Sequence, residues 1–196
     1  MSLTDDSTWV LAAVQMNSTD VLDDNLTAAR GFIQEAADRG ADVVVLPENF
    51  SLMPENGAQR QDAARRASEV EAFLAGLAEE QRIILIGGST PFPADDGRVT
   101  NTCLVFDRSG QRIGRYDKIH LFDVDVSEQE SYRESKYIAP GDTPLAVTTE
   151  GTTFGITICY DMRFPELYRQ LGAAGVEIFS IPSAFTVPTE IGRAHV

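Results

Sequence analysis

Apolar residues along this chain fall into short unbroken runs that alternate with stretches of helical spacing. WVLAAVQM (9–16) is mostly apolar at both parities, as expected of a strand buried on both faces. From Asp20 to Arg39 the period changes. Leu26, Ala29, Phe32, Ile33 and Ala36 recur three or four apart, Asp23 or Asp24 is placed to cap, and Gly40 supplies a stop, so a helix is expected. ADVVVLPENF (41–50) returns to a β-branched strand that Pro47 terminates. Residues 59–81 carry Ala63, Ala67, Val70, Phe73, Leu74 and Leu77 on one face of a second helix. RIILIGGS (82–89) and NTCLVFD (101–107) are the next strands, and DRSGQRIG (107–114) turns the chain into IGRYDK. Between His120 and Asp142 no period holds, and an excursion of that length inside a domain is commonly functional. FGITIC (154–159), a helix over Pro165–Ala174 and VEIFSIPSAF (176–185) close the pattern.

Strands alternating with helices predict a layered α/β or α+β domain. GADVVVLPENF (40–50) and GVEIFSIPSAF (175–185) share a glycine, an acidic third position, an apolar strand and a Pro-x-x-Phe ending. This echo is either chance or the mark of a pseudo-duplicated architecture whose strand ends meet at one site. The composition is that of a globular chain, 43% hydrophobic and 23% charged over 196 residues. A net charge of −14 argues against nucleic acid or an anionic membrane as partner. No run approaches the length of a membrane span, and the first residues lack the basic and apolar segments of a secretory signal. Two cysteines make no disulfide scaffold, and cytoplasm is the expected compartment.

Glu48, Lys118 and Cys159 each stand where an apolar run ends, the place where open α/β sheets build sites. Taken singly, each has an ordinary reading. Cys159 is either a small apolar filler or a thiol facing a cleft, whereas Cys103, in mid-strand, fits filler well. Glu48 is either solvated or held in an apolar cleft as a general base. Lys118 is either a surface lysine or a cation that lowers the thiol pKa and donates to an oxyanion. His120 lies close in sequence to Lys118 but has no evident orienting partner, so a Cys–His mechanism is not expected.

Together, VVLPENF, RYDKIHLFD and ICYDMRFPEL resemble the three signature blocks of the nitrilase superfamily of carbon–nitrogen hydrolases, in the right order. The resemblance implies a four-layer α-β-β-α sandwich that pairs into a homodimer. It implies that Glu48 is the general base, Cys159 the nucleophile and Lys118 the stabiliser of the tetrahedral intermediate. It further implies that Glu134, in SYRES (131–135), is a second glutamate holding the lysine, and that the Tyr160 N–H shares the oxyanion with Lys118. No metal or cofactor is implied. HLFDVDV, SYRES and CYDMRFPEL resemble the Nit-type amidases, which act on small acidic amides, and RFPELYR and PSAF lean towards deaminated glutathione amidase. An omega-amidase, an N-carbamoyl amidase and a catalytically silent scaffold are the alternatives. Arg163 is a candidate partner for the substrate carboxylate, or else part of a structural ion pair. Superfamily members continue beyond the point where this chain stops. Its ending EIGRAHV (190–196) matches a translated sequencing adapter, so residues 190–196 are expected to be a non-native tail on a carbon–nitrogen hydrolase domain over 1–189.

Overall fold

A computed structural model describes residues 8–54, 56–125 and 131–185. The segment 190–196 therefore lies outside the described residues. In chain order the elements are β1 (Leu11–Ala13), α1 (Leu22–Asp38), β2 (Val43–Val45), α2 (Gly57–Arg65), α3 (Ala67–Gln81), β3 (Ile84–Ile86), β4 (Thr90–Pro93) and β5 (Val99–Phe106). They are followed by β6 (Arg112–Asp117), β7 (Asp123–Asp125), β8 (Ser131–Arg133), β9 (Leu145–Thr149), β10 (Thr152–Ile156), α4 (Pro165–Ala173) and β11 (Ile178–Ser180).

The larger sheet runs β1-β2-β3-β5, with β4 continuing the β3 line beside β5 and β6 on the far side of β5. The first three strands are parallel and β3 meets β5 antiparallel. A second sheet, β11-β10-β9, faces it, and β7 and β8 form a separate hairpin. Period-two alternation explains the two cores. Val44, Leu85, Leu104 and Phe106 point to α1 and α3, burying Ala29, Ile33, Val70, Leu74 and Leu77. Val43, Ile84, Ile86, Cys103 and Val105 point the other way, onto Val147, Phe154, Ile156 and Ile158 of the second sheet. Gly155 and Phe179, on the outer face of that sheet, meet α4 through Tyr168, whose ring lies 5.1 Å from Phe179. The layers are thus helix, sheet, sheet, helix, as expected.

Four local expectations change. The first strand is an edge strand with Leu11 exposed, because the second sheet reaches only Trp9, whose Nε1 donates to Thr152 Oγ1 at 2.9 Å. The helix expected over 59–81 is two helices meeting at Arg66. Ala64 of α2 packs with Val99 and Ile138 while α3 serves the main helical core, so one straight axis cannot bury both faces. Neither Asp23 nor Asp24 caps α1. Val21 stands at the cap position, and the two aspartates occupy the first turn, where the helix dipole favours them. Phe32 is exposed rather than packed.

The sequence echo has a backbone counterpart. Gly40 and Gly175 both adopt positive φ, 83° and 87°. Asp42 accepts from Val10 N at 3.0 Å, and Glu177 accepts from Thr153 N at 3.1 Å, each tying its strand to the parallel neighbour. The Asp42 N–H donates to Val10 O and the Glu177 N–H to Thr153 O in the same way. The two units therefore aim Pro47 and Pro182 at one region.

Gly88, at φ 58°, determines how closely the loop after β2 can settle. A Cβ there would lie 2.1 Å from Pro47 O and 2.7 Å from Leu46 O. Gly88→Ala is expected to destabilise the fold by about 2–4 kcal/mol through backbone clash and strain. Gly40→Ala, with open space around it, should cost only about 1 kcal/mol. Urea midpoints compare the two, and a Gly88→Ala midpoint no lower than that of Gly40→Ala would show that the loop yields.

Candidate active site

Each predicted site residue follows a strand end held by backbone hydrogen bonds. The Leu46 N–H donates to Ile86 O, the Ser89 N–H to Pro47 O, and the Asn49 N–H to Ser89 Oγ at 2.9 Å, so Glu48 sits on a loop pinned from both sides. Lys118 follows β6. Its N–H donates to Asn101 O and its carbonyl accepts from the Gly141 N–H, both at 2.9 Å. Glu134 opens a 3-10 turn (Glu134–Lys136) inside the unpatterned excursion, and its Oε2 accepts from the Phe122 N–H at 2.7 Å. Cys159 follows β10 at φ 46°, a left-handed conformation that is costly for a residue with a Cβ. Its N–H donates to Pro182 O at 2.9 Å.

The four side chains converge. Lys118 Nζ donates to Glu48 Oε1 at 2.8 Å and to Glu134 Oε1 and Oε2 at 3.2 and 3.0 Å, with the lysine 2% and Glu48 5% exposed. Asn101 Nδ2 also donates to Glu48 Oε1, and the Ala184 N–H donates to Oε2 at 3.0 Å. With one proton shared between the two Glu134 oxygens, two of the three ammonium protons are committed and one is left for a ligand. Burial alone would depress the ammonium, but Glu48 and Glu134 outweigh it and hold its pKa above the ordinary lysine value. The Cys159 thiol is pushed up to about 12 by burial and by the Glu48 carboxylate beside it, which also accepts its hydrogen bond. Lys118 pulls the other way but does not prevail. The resting group is therefore a neutral thiol beside a base, as the expected role of Glu48 requires. Buried Cys103 is likewise pushed up to about 12, by burial, and has no such partner.

The residues around Cys159 explain how its backbone is held. Asp161, 0% exposed, accepts on Oδ2 from Tyr116 OH at 2.7 Å and the Ile158 N–H at 2.8 Å. On Oδ1 it accepts from the His120 N–H at 3.0 Å, and His120 Nδ1 lies 2.7 Å away. Burial and Asp161 raise the Tyr116 phenol far above its ordinary pKa, so it remains a donor. One carboxylate thus ties together the turn after Cys159, the end of β6 and His120. Sequence reasoning missed Asp161, Tyr116 and Asn101; the available signal was an acidic residue two positions after a candidate nucleophile. His120 does have an orienting partner, but its ring stacks on Phe164 at 3.7 Å and does not line the cavity beside Cys159.

That cavity has a volume of about 330 Å³, within the range of small-molecule sites. Glu48, Lys118, Glu134 and Cys159 line its reactive end, with Met53, Phe122, Tyr132, Tyr137, Tyr160 and Phe185 as apolar and aromatic wall. Arg60, Arg133 and Arg163 also face it. Among the described residues the Tyr160 N–H meets no acceptor, as an oxyanion donor requires. Arg163 lies exposed and forms no ion pair among the described residues. Among those residues no group of three or more His, Cys, Asp and Glu is placed to hold a metal ion.

A base against a thiol, a buried ammonium with a free proton and an unused backbone donor form a set for acyl transfer through a thioester. Residues 10–196 match the family model described as "Carbon-nitrogen hydrolase". The chain belongs to the carbon–nitrogen hydrolase family. It is 36% identical over 191 residues to the deaminated glutathione amidase of Synechocystis sp., covering 95% of this chain and 70% of that protein. To the human omega-amidase NIT2 it is 40% identical over 185 residues, covering 94% of this chain and 66% of the relative. Among solved structures, the C. elegans NitFhit protein superposes with a TM-score of 0.85 at 31% identity, over 93% of this chain and 45% of that one. Saccharomyces cerevisiae Nit3, of branch 10 of the nitrilase superfamily, gives 0.79 at 32% identity, over 91% and 65%. The chain thus spans about two thirds of the length of these amidases and of Nit3.

Glu48 raises the Cys159 pKa, so removing its charge must lower it while the Lys118 cation stays in place. Glu48→Gln is expected to shift the pH midpoint of iodoacetamide alkylation at Cys159 downward, as followed by mass spectrometry. Amide turnover should nevertheless fall by about 10²–10⁴-fold, the usual contribution of a general base. An alkylation midpoint unchanged by the substitution would remove Glu48 as the partner of the thiol.

Proposed function

We propose that the protein is a cofactor-free amidase that hydrolyses the α-ketoglutaramyl amide of deaminated glutathione through a Cys159 thioester. The observation that carries this reading is the thiol held at positive φ against Glu48, beside the Lys118 ammonium, in the wall of a ligand-sized cavity. In the proposed sequence Glu48 takes the thiol proton as sulfur attacks the amide carbon. The negative oxygen is received by the remaining Lys118 proton and the Tyr160 N–H. Protonated Glu48 then passes its proton to the departing amine, which breaks the carbon–nitrogen bond and leaves an acyl thioester. Water, deprotonated by the same glutamate, attacks the thioester and releases a carboxylate and the thiol. Glu134 keeps the lysine charged and aimed through both halves. Arg163, exposed at the cavity edge, is proposed to meet a carboxylate on the leaving side of the substrate.

The simpler amide α-ketoglutaramate shares the whole acyl half, and resemblance to a named omega-amidase makes it the second substrate to test. Wild-type protein should form α-ketoglutarate from both amides, with cysteinylglycine released from the first and ammonia from the second. Cys159→Ala should abolish both by about 10³-fold or more, since the nucleophile acts with its base as a unit. Turnover of neither amide, or turnover insensitive to that substitution, would sink the proposal.

A further inference from the structure

Four cations face the cavity, and three have explanations. Lys118 is paired with two glutamates and keeps its last proton for the reacting oxygen, Arg133 NH2 donates to Asp125 at 2.6 Å, and Arg163 is exposed. Arg60, in the first turn of α2, is different. It is half-buried, lines the cavity, and makes no hydrogen bond or ion pair among the described residues. An arginine carries five donors in a planar fork matched to a carboxylate, so a half-buried guanidinium left unpaired points to a ligand. Burial lowers its pKa, and attraction from Glu134 and Glu48 does not restore it, so no protein anion fully compensates the lost hydration.

We infer that Arg60 is the anchor for the α-keto-acid carboxylate on the acyl half of the substrate, a role that rests on the amidase reading above. The cavity has polarity suited to this. Glu48 and Glu134 against one Lys118 leave the reactive end with excess negative charge, which repels a carboxylate and admits a neutral amide. The carboxylate must then be met by a cation that no protein carboxylate is bonded to, which among the described residues leaves half-buried Arg60 and exposed Arg163. The acyl half stays on sulfur through the second half-reaction while the amine leaves, so its anchor belongs in the desolvated interior. A solvated guanidinium at the edge binds an anion far more weakly. Anchoring through the acyl carboxylate also predicts that deaminated glutathione and α-ketoglutaramate are held alike, whatever the size of their leaving groups.

The competing role is charge balance, with Arg60 merely offsetting Glu48 and Glu134. Comparing α-ketoglutaramate with its methyl ester separates the two, because the ester keeps the amide and loses only the charge. Arg60→Met should raise KM for the acid about 30- to 100-fold, as loss of a buried charged hydrogen bond implies, with kcat changed much less. The wild-type preference for acid over ester in kcat/KM should collapse by the same factor, and Arg60→Lys should recover part of it. Equal losses on acid and ester, or a shifted pH profile in kcat with the preference intact, would overturn the anchor in favour of charge balance. Calorimetric titration of Cys159→Ala with α-ketoglutaramate, with and without Arg60→Met, needs no turnover. Binding weakened about 30-fold or more by Arg60→Met upholds the site, and unchanged binding rejects it. If wild type hydrolyses neither amide, the reaction assignment fails, and this titration alone judges Arg60.

Discussion

The ammonium of Lys118 between the carboxylates of Glu48 and Glu134 is the interaction on which the rest of the site depends. Taking three charges out of water is expensive, and the mutual attraction repays it only when geometry and hydrogen bonding are both good. Here each partner is also held by neutral donors: Asn101 and the Ala184 N–H on Glu48, and the Phe122 N–H on Glu134. Removing one member would strand the others, a loss of roughly 3–5 kcal/mol for a buried pair. Burial first, and the Glu48 carboxylate second, keep the neighbouring thiol protonated against the pull of Lys118. In the proposed mechanism the nucleophile is therefore made when it attacks, with Glu48 beside the thiol to take its proton.

Such a cluster demands backbone precision, and the fold supplies it at each strand end. Gly88 lets the segment after β3 touch Pro47 and Leu46, where any side chain would strike a carbonyl. Gly141 does the same against Asp117 O, 2.2 Å from where a Cβ would stand, and its N–H holds the Lys118 carbonyl. The strained Cys159 is held by Pro182 O from the second sheet and by Asp161, which gathers donors from three segments. None of these contacts touches the reacting atoms. They determine where those atoms are, and displacements of an ångström are costly in catalysis.

Glu48, Lys118 and Cys159 were legible from sequence as strand-end positions, a local signal, but each alone also had an ordinary reading; their roles and the four-layer order were implied only by the resemblance. Glu134 was legible only by resemblance, since a short 3-10 turn and a hairpin leave no periodicity in the excursion. Asp161 was invisible as a scaffold because its value lies in partners 41 and 45 residues away. Arg60 was hidden within an apparently continuous helix. The chain breaks at Arg66 because α2 and α3 serve different cores, and that break places the first turn of α2 over the cavity. That burial and Glu48 together outweigh Lys118 at the thiol was not legible, because both depend on segments far from Cys159 in sequence.

The repeated unit explains why two sheets, rather than one, build the site. Each unit ends a parallel strand in a proline and sends its next residues to the seam between the sheets. In the first unit those residues include Glu48; in the second they include Ala184, whose N–H holds the Glu48 carboxylate, and Pro182, whose carbonyl holds Cys159. The base thus comes from one sheet and its clamp from the other, while the thiol follows the strand that pairs with the clamp. A seam between independent sheets is also where a cleft opens without emptying either core. Glu48 and Glu134 line it with negative charge, and a half-buried cation faces the same cavity from α2. A substrate with a neutral amide at one end and a carboxylate at the other meets that polarity in only one orientation.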